Sequence, residues 1–201
     1  MLIYIQDLKR KNYLDTLKIQ EDLRNQVLKN DKDNHLVLVE HEHVYTLGKN
    51  ANSSNILNRS CEIIQTQRGG DVTYHGPGQL VAYPIINLKK KKIGVKSYVE
   101  MIEKLISNIL FDYGLKPHVP MKETGVWIED RKIASIGIHV SRGVTMHGLA
   151  INVNTDLTYF DNIISCGIKG VKMTSLDKEL GKKIRMNDIK KSLITHLNQM
   201  F

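Results

Sequence analysis

The sequence has few of the features that mark exported, membrane-spanning or disulfide-stabilised proteins. Its 201 residues include only two cysteines, which are too few for a disulfide framework. The longest apolar runs fall well short of the ~18 residues that a membrane span needs. Residues 1–10 lack the cationic start and the long apolar run of a secretory signal. We therefore expect a cytoplasmic protein whose two thiols are free.

Aromatic residues are also scarce. They make up 6% of the chain, so stacking platforms for single-stranded nucleic acid are few. Basic residues outnumber acidic ones by 29 to 21, which gives a net charge of +8. This balance favours nucleic acid, an anionic membrane surface or an acidic protein as a partner, without choosing among them. At about 100–200 residues per domain, the length predicts a single domain over residues 1–201.

Apolar periodicity and turn residues predict many strands and few helices. Strands are expected over residues 2–6, 35–40, 44–47, 61–66, 80–87 and 146–153, with a hairpin formed by 123–128 and 132–140. Helices are expected over residues 9–29 (capped by Asp7), 97–113, 175–180 and 187–200. Residues 30–34, 49–60 and 89–92 are expected to be turns or loops. Because strands dominate the middle of the chain, we expect an α+β fold with a mixed sheet flanked by helices.

A glycine-rich segment spans residues 68–79, which read Arg-Gly-Gly-Asp-Val-Thr-Tyr-His-Gly-Pro-Gly-Gln. Glycine permits positive φ and close backbone approach, and Pro77-Gly78 is a turn signature. Neither phosphate-binding glycine pattern is present. One interpretation is a plain glycine-rich hairpin connection. The other is a ligand-binding wall, favoured because arginine, tyrosine, histidine and glutamine are interleaved with the glycines.

The two cysteines have different surroundings. Cys166 is followed by Gly167, and the nearby Lys169 and Lys172 would favour the reactive thiolate. An inert, buried thiol is the alternative interpretation for Cys166. Cys61 opens an apolar strand and is predicted to be a core residue.

A cysteine nucleophile needs a base, and the sequence offers two kinds. One is a histidine, from His75, His139 or His147. The other is Lys132, which follows a hairpin turn and precedes a run of small residues that leaves room for a bound chain. A lysine at a turn is ordinarily just solvated. His41 and His43 have strand spacing but lack a third ligand at a familiar interval, so no metal site is predicted.

Several of these segments together resemble the lipoyl(octanoyl) transferases. The resemblance rests on residues 68–79, on Gly-Val-Trp at 125–127, on Arg-Lys-Ile-Ala-Ser-Ile-Gly at 131–137, on His147-Gly148 with Asn152, and on Ser-Cys-Gly-Ile at 165–168. These motifs occur in the family's order from about residue 35 to residue 176. The resemblance implies the fold of the biotin and lipoate protein ligases.

The resemblance also implies a reaction and its site. An octanoyl group would pass from acyl carrier protein, through a thioester on Cys166, to a lysine of a lipoyl domain, with Lys132 as general acid and base. The acceptors would be 2-oxoacid dehydrogenase complexes and the glycine cleavage H protein. No ATP or metal cofactor, nucleic acid or membrane would be involved, and the enzyme would be a monomer. The implied substrate-binding residues are Arg68, Gly69, Gly70, Asp71, Val72, Thr73, Tyr74, His75, Gly76, Gln79, Ser135, Ile136, Gly137, His139, His147, Gly148 and Ala150.

One departure and two alternatives accompany this interpretation. The family has proline before its catalytic cysteine, whereas this chain has Ser165, which keeps a backbone donor and adds a hydroxyl. An ATP-dependent lipoate ligase would share the fold and the lysine but need no cysteine. A non-enzymatic basic binding module is the other alternative, supported by the pI near 9.4 and the lysine run at 89–92.

Overall fold

Two β-sheets organise the fold, which is known from a computed structural model that describes residues 3–29 and 34–200. The strands are β1 Ile3–Lys11, β2 Asn34–His41, β3 Val44–Leu47, β4 Glu62–Gln65, β5 Thr73–His75, β6 Gln79–Ile85, β7 Pro117–His118, β8 Val126–Ile128, β9 Arg131–Ser141, β10 Val144–Asn152 and β11 Lys172–Met173. The helices are α1 Tyr13–Lys29, α2 Leu88–Lys91, α3 Val95–Asp112, α4 Leu176–Leu180 and α5 Met186–Met200.

The larger sheet has eight strands within the described residues, in the order β1-β2-β6-β10-β9-β8-β7, with β11 beside the start of β9. The pairs β1–β2 and β9–β11 are parallel, and the other neighbours are antiparallel. Strands β4, β3 and β5 form a separate three-stranded sheet. The predicted mixed sheet flanked by helices is therefore confirmed.

Both faces of the larger sheet are covered by helices. Leu36 and Leu38 of β2 join the core beneath α3 and α5. Val37 and Val39, which alternate with them, face the opposite side and pack in the cluster that includes Val27 of α1. Because successive strand residues point to opposite faces, a strand covered on both sides is apolar throughout, as residues 36–39 are.

The N-terminal boundary between strand and helix differs from the prediction. Residues 8–11 belong to β1 rather than to a helix, and Asp7 lies inside that strand. The register of β1 against β2 shifts between Asp7 and Arg10, where Lys9 has a φ of 58°. Helix α1 begins at Tyr13, and the Asn12 side chain accepts a hydrogen bond from the Leu14 amide at 2.8 Å. Pairing with β2 thus overrides the local preference of residues 8–11 for a helix.

The other differences are smaller. The lysine run that was expected to be a loop forms α2. The Asn87 side chain caps the start of this helix, and Lys92 ends it in the left-handed conformation. Cys61 lies just before β4 and is half-buried against the core of the smaller sheet. The predicted helices and strands elsewhere are present with boundaries that differ by at most three residues. Residue 2 of the first predicted strand and residues 30–33 of the predicted turn lie outside the described residues.

The described residues contain neither a membrane-spanning helix nor a cluster of metal-binding side chains. Among these residues no helix is both long and apolar enough to cross a lipid bilayer. Likewise, within residues 3–29 and 34–200 no three histidine, cysteine or acidic side chains are grouped so that they could hold a metal ion.

Candidate active site

Lys132 and Cys166 meet at the junction of the two sheets. The Lys132 Nζ lies 3.3 Å from the Cys166 Sγ, although 34 residues separate them in sequence. Lys132 lies on β9 and is only 1% exposed, so it is not an ordinary solvated lysine at a turn. Its Nζ also donates to the Thr124 carbonyl oxygen at 2.9 Å and lies 4.5 Å from the centroid of the Trp127 ring.

The Cys166 loop is held in an uncommon backbone conformation. Cys166 has a φ of 57°, and Gly167 follows with a φ of 70°. The Cys166 amide donates to the Val72 carbonyl oxygen at 2.9 Å, which ties the loop to the residue just before β5. A left-handed non-glycine residue costs of order 1–3 kcal/mol and persists only where its surroundings impose it. The thiol is thereby turned toward Lys132.

The surroundings of Cys166 differ in two respects from the sequence expectation. Lys172 is engaged with Asp130 at 2.7 Å, and Lys169 is exposed, so the cation that contacts the thiol is Lys132. Ser165, at the position where the family has proline, is buried, and its Oγ has no hydrogen-bond partner among the described residues. The serine hydroxyl therefore adds no contact to this loop in the described structure.

An apolar pocket opens beside Cys166 and contains about 450 Å³ of empty space, including its mouth. Of the predicted substrate-binding residues, its lining includes Arg68, Gly70, Asp71, Thr73, His75, Ser135, Ile136, Gly137, His147, Gly148 and Ala150.

Small residues on two adjacent strands make room for this pocket. Gly137 of β9 lies opposite Gly148 of β10, and Ser135 lies opposite Ala150. Because residues two apart on a strand share a face, all four line one face of the sheet. A Cβ at Gly137 would lie 3.0 Å from the Gly69 carbonyl oxygen, and one at Gly148 would clash with the Ala82 carbonyl oxygen, so larger side chains do not fit at these two positions.

The remaining predicted substrate-binding residues lie behind the pocket walls or beside them. The Gly69 amide donates to the Ile138 carbonyl oxygen at 2.8 Å, and Val72 anchors the Cys166 loop. The Gln79 side chain donates to Asn152 at 2.9 Å and also contacts His75. Three further residues do not line the pocket: Tyr74, which stacks on Tyr159; Gly76, which packs against Tyr74; and His139, which is half-buried on β9.

The pocket also contains residues that the sequence did not single out, namely Tyr13, Val81, Tyr83 and Leu149. Val81 and Tyr83 alternate along β6, so the period of that strand could have indicated them once one face was known. Tyr13 is the first residue of α1 and reaches the site only through the packing of that helix. No local pattern marks it.

Arg68 places a buried positive charge in the pocket wall. Its guanidinium donates to the Thr46 Oγ1 at 2.9 Å and to the Gly69 carbonyl oxygen at 3.0 Å. Among the described residues no carboxylate forms a salt bridge with it, and burial lowers its pKa. Arg68 and Cys166 line the same pocket, so the guanidinium charge stabilises negative charge that develops there during a reaction.

The three histidines considered as bases have other partners or positions. His75 Nδ1 contacts Gln79 Oε1 at 2.7 Å, and His147 Nδ1 lies 3.4 Å from the Tyr13 hydroxyl. His139 lies outside the pocket lining. In the described part of the chain, none of their rings is hydrogen-bonded to Cys166. His41 and His43 are bound to the hydroxyls of Tyr83 and Tyr74, respectively.

A buried histidine cluster predicts that the fold loses stability in mild acid. Burial lowers the pKa of His41 to about 4, and those of His75 and His147 to about 3. These rings stay neutral in the folded protein, whereas the unfolded chain takes up protons below about pH 6.5. Stability is therefore complete above pH 6.5, and each ring removes up to about 1.4 kcal/mol per pH unit as the pH falls toward its folded-state pKa.

We expect the melting temperature to fall steadily between pH 6.5 and pH 4.5 when unfolding is followed by circular dichroism. A His147→Gln variant should have a shallower pH dependence, and the exposed-site control His118→Gln should match the wild type. A melting temperature that is constant across this range would contradict a neutral buried cluster.

The fold is that of solved lipoate and biotin protein ligases. A lipoate-protein ligase A bound with ATP matches with a TM-score of 0.81 at 13% identity, covering 100% of this chain and 85% of that one. The apo biotin protein ligase from Aquifex aeolicus matches with a TM-score of 0.59 at 13% identity, covering 99% and 69%. At such identities the likeness establishes the fold alone, and it confirms the predicted fold class.

The chain belongs to the family of lipoyl protein ligase A/B catalytic domains, whose model matches residues 12–198. An octanoyltransferase from Christiangramia forsetii is 40% identical, over 99% of this chain and 95% of that protein. One from Flavobacterium johnsoniae is 41% identical, over 99% and 96%. The chain is thus an acyltransferase, as predicted, and these names support octanoyl transfer in protein lipoylation.

Proposed function

We propose that this enzyme transfers an octanoyl group from acyl carrier protein to the acceptor lysine of lipoyl domains, through a thioester on Cys166. The observation that carries the proposal is the contact between the buried Lys132 amine and the half-buried Cys166 thiol, which lines an apolar pocket. The acceptors would be the lipoyl domains of 2-oxoacid dehydrogenase complexes and the glycine cleavage H protein. The relatives' names, octanoyltransferase, support the choice of acyl group.

The first half-reaction is a thioester exchange. Lys132 takes the proton of Cys166, and the thiolate attacks the octanoyl thioester carbonyl. A new carbon–sulfur bond forms to Cys166, and the bond to the carrier's thiol breaks. Lys132 then returns the proton to the departing thiolate, so that it acts as base and afterwards as acid.

The second half-reaction forms the amide. The acceptor lysine gives one proton to solvent, attacks the Cys166 thioester carbonyl as the neutral amine and passes its second proton to Lys132. The bond between the carbonyl carbon and the Cys166 sulfur breaks, and the departing thiolate recovers that proton from Lys132. The amides of Cys166 and Gly167 already donate to Val72 and Ile164. The buried cation of Arg68 is therefore the group that supports charge on the tetrahedral oxygen.

A single catalytic domain over residues 1–201, acting as a monomer in the cytoplasm, completes the proposal. Cys61 and Cys166 are free cysteines, which is compatible with a reducing compartment.

A transfer assay separates this function from that of an ATP-dependent ligase on the same fold. Purified protein, octanoyl–acyl carrier protein and a lipoyl domain should give the octanoylated lipoyl domain without ATP, as detected by mass spectrometry. Free octanoate should remain unused when ATP is added. Transfer that requires both free octanoate and ATP would overturn the proposal and identify a ligase.

A further inference from the structure

A single peptide group connects a buried carboxylate on α3 to the amine of Lys132. The carbonyl oxygen of Thr124 accepts a hydrogen bond from the Lys132 Nζ at 2.9 Å. The N–H of the same peptide, that of Gly125, donates to the Glu103 Oε1 at 3.1 Å. Glu103 is buried. The groups therefore follow one another as carboxylate, peptide and amine.

Glycine at position 125 is what lets this peptide lie against the lysine. Gly125 has a φ of 129°, a backbone conformation that other residues rarely adopt. A Cβ there would lie 2.7 Å from the Lys132 Cε and 2.6 Å from the Ala134 carbonyl oxygen. The peptide is thus held from two sides, by Glu103 of α3 and by Lys132 of β9.

Hydrogen bonds in series polarise one another when they are removed from water. A carboxylate on the N–H side of a peptide makes its carbonyl oxygen a better acceptor for a cation on the other side. We propose that Glu103 is a positioning residue that acts through the Thr124–Gly125 peptide to stabilise the ammonium that Lys132 becomes when it takes the proton of Cys166. This proposal rests on the proposed function, in which Lys132 first receives the proton of Cys166.

The charged groups around this array are few. Burial raises the pKa of Glu103, as does Glu100 one turn earlier on α3, whereas the Gly125 amide and Lys132 lower it. The Lys132 Nζ also contacts the Cys166 Sγ at 3.3 Å. The cation among the groups that shift the pKa of Glu103 is Lys132. Removal of the Glu103 charge should therefore affect Lys132 most directly.

The test uses Glu103→Gln, which keeps an oxygen for the Gly125 amide and removes the charge. With lysine carbons labelled by ¹³C, the Lys132 resonance is identified by its absence in Lys132→Met. We expect this resonance to titrate about one pH unit lower in Glu103→Gln than in the wild type. Single-turnover acylation of Cys166 at neutral pH should slow about tenfold, with the folded circular dichroism spectrum retained.

Two further variants make the result decisive. Glu100→Gln removes an exposed charge from the same helix and should leave both readouts at wild-type values. Glu103→Asp restores the charge and should restore most of the titration shift. Wild-type titration and rate in Glu103→Gln, or an equal effect from Glu100→Gln, would overturn the positioning role. The titration needs no acyl donor, so a shifted titration in a protein that performs no octanoyl transfer would refute the proposed function alone.

Discussion

Replacing Cys166 with alanine is expected to abolish the acyl-enzyme, whereas replacing Cys61 with alanine should leave it intact. Cys166 lines the pocket and lies 3.3 Å from the Lys132 amine. Cys61 contacts the core of the smaller sheet and is not part of the pocket lining. Loss of a covalent nucleophile should reduce transfer by about 10³-fold or more, because catalytic groups that act as a unit fail together.

Intact-protein mass spectrometry checks this directly. After incubation with octanoyl–acyl carrier protein, the wild type should gain one octanoyl group that hydroxylamine removes, as expected for a thioester. Both variants replace a cysteine with alanine, so they differ only in the position of the change. Normal labelling of Cys166→Ala would mean that another group carries the acyl chain.

The second large effect is expected from Lys132→Met. Methionine resembles lysine in length and keeps an apolar contact with Trp127, but it cannot transfer a proton or donate to the Thr124 carbonyl oxygen. Both half-reactions need that proton transfer, so we expect turnover to fall by about 10²–10⁴-fold. A buried methionine also fills the space that Lys132→Ala would leave empty, so that a loss of activity is separated from a loss of packing.

Reactions quenched at successive times and analysed by mass spectrometry measure the two half-reactions separately. Acylation of Cys166 and its subsequent transfer to the lipoyl domain should both be slow in Lys132→Met, while the melting temperature stays close to that of the wild type. Binding of the donor should change little, because the lysine lies behind the thiol. Turnover equal to that of the wild type would remove Lys132 from the reaction.

The sequence predicts those parts of the site that correspond to a local sequence pattern. The glycine-rich segment, the small residues that follow Lys132 and the glycine after Cys166 are visible without a structure, and they surround the pocket. The mixed sheet was also accessible, because most strands show β-branched runs bounded by turns.

Other features depend on contacts between distant segments. Residues 10 and 11 extend β1 because they pair with Glu40 and His41 of β2, and no local sequence pattern at Lys9 indicates the shift in register. Tyr13 enters the pocket through the docking of α1, and Glu103 reaches Gly125 across 22 residues. The burial of Lys132 likewise follows from tertiary packing, since a lysine after a hairpin turn is ordinarily solvated. Such contacts carry no periodicity from which they could be inferred.

The attachment of the Cys166 loop to Val72 also bears on how the chain becomes active as it folds. Lys132 belongs to the eight-stranded sheet, whereas Cys166 is tied to the residue before β5 of the three-stranded sheet. The distance between the Cys166 thiol and the Lys132 amine is therefore set by how the two sheets pack together, and not by local backbone geometry. A chain with each sheet formed but not yet docked contains both groups and no reactive pair. The reactive pair therefore exists only where the two sheets are packed together, and an undocked chain holds a thiol without its base.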